Sequence, residues 1–230
     1  MNNLNNLEKK LKIIFHNQNL LKQAFIHLSY LNESDKGTCS NERLEYLGDS
    51  ILSFVISHWL YKKFPDYPEG DLTNIRSFLV KTKSLALIAG KLQLGDYLFL
   101  SKGEASAGGQ NNPLLLANTM EALIGAIFID KGLEITEEFI RQHFQPLLNE
   151  PADLDMIKGY KSRLQESIQA KTKQAPVYQT LKEEGPDHSK TFTVAVLSGK
   201  KVMGIGKGKS KQIAEQKAAE AALEKLKIKD

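Results

Sequence analysis

NERLEYLGDS, residues Asn41–Ser50, packs three carboxylates among leucines. If the run continues through ILSFVISHWL as one helix, Glu42, Glu45 and Asp49 stand at i, i+3 and i+7. At about 100° per residue all three point within roughly 60° of one another. They form a single acidic stripe, and Leu44, Leu47, Ile51 and Phe54 lie mostly off it. Gly48 costs this helix about 1 kcal/mol relative to Ala, which suggests that another helix packs closely there.

Three acids on a helix are most often a solvated face. Two features tilt the reading here. Like charges at i and i+4, as in Glu45 and Asp49, destabilise an isolated helix by roughly a few tenths of a kcal/mol unless a cation sits between them, and Arg43 points to a different side. The second feature is ANTMEALIGAIFID, residues Ala117–Asp130, another apolar helix with Asn118 and Glu121 at i and i+3. Two largely buried helices that each present oxygen donors make a candidate divalent-cation site, since Mg²⁺ takes a few carboxylates together with water and substrate phosphate. Distance ranks the donors. Glu42 and Asp49 are about 10.5 Å apart along the axis, whereas Glu45 and Asp49 are about 6 Å apart. Glu45, Asp49 and Glu121 are therefore the expected ligands, with Asn118 as a neutral ligand or water holder and Glu42 in support.

The bulk properties bound what such a site can belong to. The chain has 230 residues, 41% hydrophobic and 25% charged, which suits a soluble globular protein of one large or two modest domains. No window approaches the roughly 18 uninterrupted apolar residues of a membrane span, and the first thirty residues do not follow the pattern of a secretory leader. A cytoplasmic protein without a membrane partner is expected. Cys39 is alone, and His16, His27, His58, His143 and His188 are scattered without zinc spacing. Any metal must be a hard cation held by oxygen. Charge is uneven: residues 1–150 carry 15 Lys+Arg against 17 Asp+Glu, and residues 151–230 carry 16 against 10. The basic second part suggests a polyanionic partner.

Up to about Leu148 the apolar residues recur at helical spacing, with breaks expected at Asn32–Asn41, Phe64–Asp71 and Ala105–Pro113. Residues 149–155, NEPADLD, read as a linker. Beyond it, Tyr160, Leu164 and Ile168 form one helical stripe. Pro176–Leu181 and Thr191–Leu197 alternate, with Phe192, Val194 and Val196 on one face, and Lys200–Ile205 can form a third strand. Ser210 is a good N-cap for a last helix whose Ala214, Ala218, Ala221 and Ala222 share a face and permit close approach to a sheet. The expected fold class is multidomain: an all-α domain over residues 1–150, then a small α+β domain of order α-β-β-β-α over residues 157–228. Trp59 is expected in the core, and His27 and His58 as satisfied structural histidines.

NERLEYLGDS resembles the signature segment of bacterial ribonuclease III. The resemblance extends through AFIHLSY (Ala24–Tyr30), PEGDLTNIRSFLV (Pro68–Val80) and ANTMEALIGAIFIDKG (Ala117–Gly132), and then through a segment similar to a double-stranded-RNA-binding domain. It implies a homodimeric endonuclease that depends on Mg²⁺, with Mn²⁺ as a substitute, and uses no organic cofactor. The implied reaction cuts double-stranded RNA to 5′-phosphate products with short 3′ overhangs, in the processing of ribosomal RNA precursors and other structured transcripts. Carried over by position, the family's acidic metal-site residues match Glu45, Asp49 and Glu121, with Asp49 and Glu121 catalytic. The fourth position falls on Asn118, where the family usually has Asp. Glu42 and Glu69 match further acidic positions, and Tyr46 matches an aromatic inserted into the partner subunit. Such hydrolysis needs no side-chain nucleophile. Asn118 keeps a hard carbonyl oxygen but loses a charge, so a higher metal requirement is expected.

Double-stranded RNA is read by shape, through 2′-hydroxyls in two minor grooves and phosphates across the major groove between them. The resemblance assigns these contacts to Gln165 and Gln169, to the loop holding His188 and Lys190, and to Lys207, Lys209, Ser210 and Lys211. A helix N-terminus beside several lysines favours phosphate twice over. The rival reading is a double-stranded-RNA-binding protein catalytically weakened by Asn118. Retention of Glu45, Asp49 and Glu121 argues against it, because a site freed from catalysis has no evident reason to keep mutually repelling carboxylates.

Overall fold

The computed structural model describes residues 4–33, 37–148, 159–186 and 190–227, with the backbone alone for 171, 172 and 227. The expected linker at 149–155 and His188 lie outside the described residues. The chain divides into two compact units, with Glu69–Asn74 counted with the second.

The described part of the chain up to Leu148 is helical: α1 (Leu4–Leu11), α2 (Gln18–Gln23), α3 (Glu42–Lys63), α4 (Glu69–Val80), α5 (Thr82–Lys91), α6 (Lys102–Ser106) and α7 (Pro113–Phe144), with short 3₁₀ turns between them. Helix α3 begins after Asn41, carries Glu42 and Glu45 in its first turn and ends with Lys62 and Lys63. Both charge placements oppose the helix dipole favourably. Asn112 starts α7, its side chain accepting from the Leu114 N–H at 2.9 Å, and Pro113 occupies the first helical position. Gly132, at φ 80°, kinks α7.

Helices α3 and α7 form the central pair. The buried face of α3 is Leu44, Gly48, Leu52, Val55, Ile56 and Leu60. Opposite it, α7 buries Ala117, Met120, Ala122, Leu123, Ile124, Ala126 and Ile127. By length and composition α7 with its following turn, Pro113–Leu148, could cross a bilayer, yet 56% of its most apolar window is buried inside the unit. It is a core helix.

The close approach expected at Gly48 is present and has a partner. A Cβ on Gly48 would collide with the Glu121 carbonyl oxygen, and one on Gly125 with the Leu44 carbonyl oxygen. The two glycines let the helix backbones touch. One expectation for α3, the placing of Trp59 in the core, needs correction. Leu47 and Ile51 are only half-buried, Phe54 is 54% exposed, and Trp59 is half-buried beneath the Lys63 ammonium rather than sealed in the core. The helix carries two apolar stripes, and α7 covers only one.

The second unit runs α8 (Tyr160–Thr172), β1 (Val177–Glu184), β2 (Thr191–Ser198), β3 (Lys201–Gly208) and α9 (Lys211–Lys227). The strands form one antiparallel sheet in the order β1-β2-β3. Strand β2 does not alternate in burial as expected: Thr193 and Ala195 are as inaccessible as Val194 and Val196. It is the central strand of the sheet, paired on both edges. Helix α9 lies on β3, where a Cβ on Gly204 or Gly206 would strike its backbone. Its fully buried alanines are Ala214, Ala218, Ala219 and Ala222, while Ala221 is only half-buried. Contact with both the sheet and α8 makes the buried arc wider than one stripe. Tyr160 is 39% exposed, leaving Leu164 and Ile168 as the anchors of α8.

Replacing Gly48 by Ala should destabilise the protein by about 2–4 kcal/mol in urea denaturation, because the helix backbones must separate. Gly90→Ala, on α5 where an added Cβ meets nothing within 4 Å, should instead be neutral or stabilising by up to about 1 kcal/mol. Equal effects at the two positions would remove the crossing argument.

Candidate functional site

The α3–α7 crossing brings the expected acids together. Glu45 and Asp49 flank Gly48 on α3, and Glu121 sits on α7 at the residue whose carbonyl meets Gly48. Burial is the first cause that raises the Glu121 carboxyl, followed by the negative charges of Asp49 and Glu45, and together they push it up to about 7. The Glu45 carboxyl is raised as well, first by burial and then by Glu42, while a hydrogen bond from the Asn118 side chain partly offsets this and Asp49 adds to it. Glu42, Glu45, Asp49, Asn118 and Glu121 thus share one electrostatic environment.

Their exposure is graded. Glu45, Asn118 and Glu121 are half-buried, and Asp49 and Glu42 are exposed. Among the described residues no three His, Cys, Asp or Glu side chains converge into a closed set of metal donors. The carboxylates are neighbours in charge that stand apart, as mutual repulsion requires.

Glu42 stands at the start of α3, where the Ser40 hydroxyl donates to it at 2.8 Å. Glu69 opens α4 and accepts from the Thr73 hydroxyl at 2.9 Å. Tyr46 is 79% exposed and, with Leu20, Gln23, Arg43, Leu47 and Ile129, lines a shallow groove. His27 is satisfied as expected, through Ser29 at 2.9 Å. His58 is instead exposed, with its ring 3.5 Å from Glu137. Sequence reasoning missed two supporting residues. Gly125, within ALIGAIF, was legible as a second glycine in an apolar helix, but Ser40 carried no periodic signal.

In the second unit, Gln165 and Gln169 point outward from α8, and Lys207, Lys209 and Lys211 are exposed. Ser210 caps α9, its hydroxyl accepting from the Ile213 N–H at 3.2 Å. Lys190 and Lys211 both reach Glu183, at 3.7 and 2.9 Å. Glu183 is a further residue that sequence reasoning did not single out.

A ribonuclease-III-like family profile matches residues 17–148, and a double-stranded RNA binding motif matches residues 160–226. The chain is 42% identical over 222 residues to ribonuclease 3 of Clostridium botulinum, covering 96% of this chain and 95% of that protein. It is 44% identical over 218 residues to ribonuclease 3 of Borreliella afzelii, covering 95% and 89%. Among solved structures, the nuclease domain of ribonuclease III from Campylobacter jejuni aligns with a TM-score of 0.60 at 37% identity, covering 65% of this chain and 99% of that one. A second structure of that domain, described as having structural flexibility in a region involved in dimer formation, aligns with a TM-score of 0.57 at 39% identity, covering 62% and 99%.

The raised Glu121 pKa has a defined linkage sign. The folded value of about 7 lies above the ordinary carboxyl value of 4.5, so ionisation is penalised in the fold. That penalty is nearly absent below the unfolded pKa, grows between the two values and is complete above about 7. In chelator, Glu121→Gln should therefore stabilise the protein by about 1–2 kcal/mol at pH 8, after discounting for solvent screening, and by much less at pH 5. Thermal melts at the two pH values check this, and an equal gain at both would exclude charge as the cause.

Proposed function

The chain belongs to the ribonuclease III family, and from that premise we propose how its residues divide the work of cleavage. It is an endoribonuclease acting on double-stranded RNA. In our reading, residues 1–150 form the catalytic and dimerisation domain and residues 157–228 the RNA-binding domain. The reaction is Mg²⁺-dependent hydrolysis to 5′-phosphate ends with short 3′ overhangs, with Mn²⁺ as a substitute. It serves the maturation of ribosomal RNA precursors and other structured transcripts in the cytoplasm, a reducing compartment that suits the exposed single Cys39.

The carrying observation is the gathering of Glu45, Asp49 and Glu121 across one glycine crossing, with Glu121 pushed up to about 7. This donor set fits a hard divalent cation. Its oxygens are carboxylates and an amide carbonyl, and the repulsion that raises Glu121 is what a nearby positive charge cancels. When bound, Mg²⁺ supplies Lewis acidity, making a water more acidic and neutralising charge that grows on the phosphoryl and leaving oxygens. Glu45, Asp49 and Glu121 would hold it, with Asp49 and Glu121 as the catalytic pair. Asn118 steadies Glu45 through its amide and offers a neutral oxygen. Glu42 and Glu69 are supporting acids, near the scissile phosphate or in dimer contacts.

The active form is a homodimer. The uncovered stripe of α3, with Tyr46 79%, Phe54 54% and Tyr61 72% exposed, supports a partner-facing surface. Tyr46 is the aromatic inserted into the other copy. Gln165 and Gln169 contact 2′-hydroxyls and base edges, and His188, Lys190, Lys207, Lys209, Ser210 and Lys211 meet the intervening phosphates.

Glu121→Gln should abolish Mg²⁺-dependent cutting of a long RNA duplex while binding in chelator persists. Binding without cutting by the parent protein would sink the enzyme mechanism. Asn118→Asp should move the Mg²⁺ titration of cleavage to lower concentration, since it restores a charge, and an unchanged titration would remove the charge argument. Tyr46→Ala should shift sedimentation towards monomer, and an unaltered dimer would remove Tyr46 from the contact.

A further inference from the structure

Glu183, at the end of β1, holds two of the lysines expected to meet RNA. Its Oε1 lies 2.9 Å from Lys211 Nζ and its Oε2 3.7 Å from Lys190 Nζ. The two cations come from different elements: Lys190 immediately precedes β2, and Lys211 is the first residue of α9. One carboxylate thus links the end of the β1–β2 connection to the start of the last helix. Hydrogen bonding and charge from Lys211, and then Lys190, hold the Glu183 carboxyl below its ordinary range, so it is anionic at neutral pH.

Lys211 has an independent support. Its ammonium lies 5.6 Å from the centroid of the Phe192 ring, and Phe192 pairs with Glu183 across the β1–β2 ladder. The ring attracts the cation without competing for it as an anion does. Removing the Glu183 charge therefore leaves Lys211 oriented by the aromatic and by the helix start. The pair is also exposed, and exposed ion pairs contribute little to stability. The fold does not depend on it.

We propose that Glu183 is a built-in competitor for the phosphate of double-stranded RNA. In the free protein its carboxylate occupies the position by Lys211 and Lys190 that a phosphate takes in the complex. A phosphate that docks there must displace it and then tolerate its negative charge nearby. The competition lowers the affinity for every duplex by the same factor, and that loss matters most for short ones because they offer few other contacts. Long substrates overcome it across the remaining face, and cleaved products, with fewer contacts, are released. This inference rests on the reading of Lys190 and Lys211 as phosphate contacts.

The test uses the full chain and a long RNA duplex in chelator, so that binding is measured without cutting. Lys211→Ala should weaken binding and reduce the slope of log affinity against log salt by about 1. Glu183→Gln should tighten binding roughly three- to tenfold with an unchanged melting temperature, and the gain should vanish in the Glu183→Gln/Lys211→Ala double variant. With Mg²⁺, Glu183→Gln should lower KM without raising kcat. If Lys211→Ala weakens binding but Glu183→Gln does not tighten it, the competitor role is overturned and the phosphate-contact reading stands. Should Lys211→Ala leave binding unchanged, that reading fails and the inference falls with it. A gain that persists in the double variant would mean general charge repulsion rather than competition for Lys211, and would also overturn it.

Discussion

The contact of two backbones at Gly48 and Gly125 is the constraint on which the catalytic unit depends. Without side chains at these positions, α3 and α7 approach until a carbonyl of each lies where the other's Cβ would be. Interiors are close-packed, so an added methyl there has nowhere to go and must push the helices apart. The same contact sets the chemistry. Glu45 and Asp49 flank one glycine, and Glu121 supplies the carbonyl that meets it, so helix spacing and carboxylate spacing are one quantity. Carboxylates brought near one another repel, and Glu121, half-buried, bears the largest consequence. Keeping these carboxylates close costs the fold stability locally, a cost that concentrates where functional sites lie.

The second unit uses glycine in a related way for a different end. Gly204 and Gly206 let α9 lie directly on β3, which fixes where its capped N-terminus and Lys211 emerge. A sheet and helix joined this closely form a rigid platform, and rigidity matters for a ligand recognised by shape. The lysines are not presented to RNA as bare charges. Glu183 ties two of them, so affinity reflects a balance between an internal anion and an external one.

Much of this was legible in the chain itself. Periodicity located α3, the central part of α7, three strands and the last helix, because a 3.6-residue and a 2-residue repeat leave different marks. The glycine in NERLEYLGDS signalled a close neighbour because it is costly in a helix unless something requires it. Burial was harder to read. Phe54 is apolar and on the right helix, yet lies on the face that α7 does not cover, and Trp59, which lines a cavity with Glu137, Ile140 and Arg141 of α7, is only half-buried. Strand β2 is buried on both faces, which an alternating pattern does not reveal, and Ala219 replaces Ala221 in the core because α9 touches two elements. Composition cannot tell which of two apolar stripes is covered, since that depends on where the partner element lies.

The sequence by itself determined which residues could hold a cation and which could meet RNA: acids at one-turn spacing, a second helix with Asn118 and Glu121, and lysines around a helix start. The acid stripe follows from local geometry, in which neighbours along the chain determine direction, and the RNA contacts from the resemblance to ribonuclease III. Only the tertiary structure decided that Gly125 answers Gly48 and that Glu183 bridges Lys190 and Lys211. Such contacts join residues with no common period, and packing of whole elements brings them within reach.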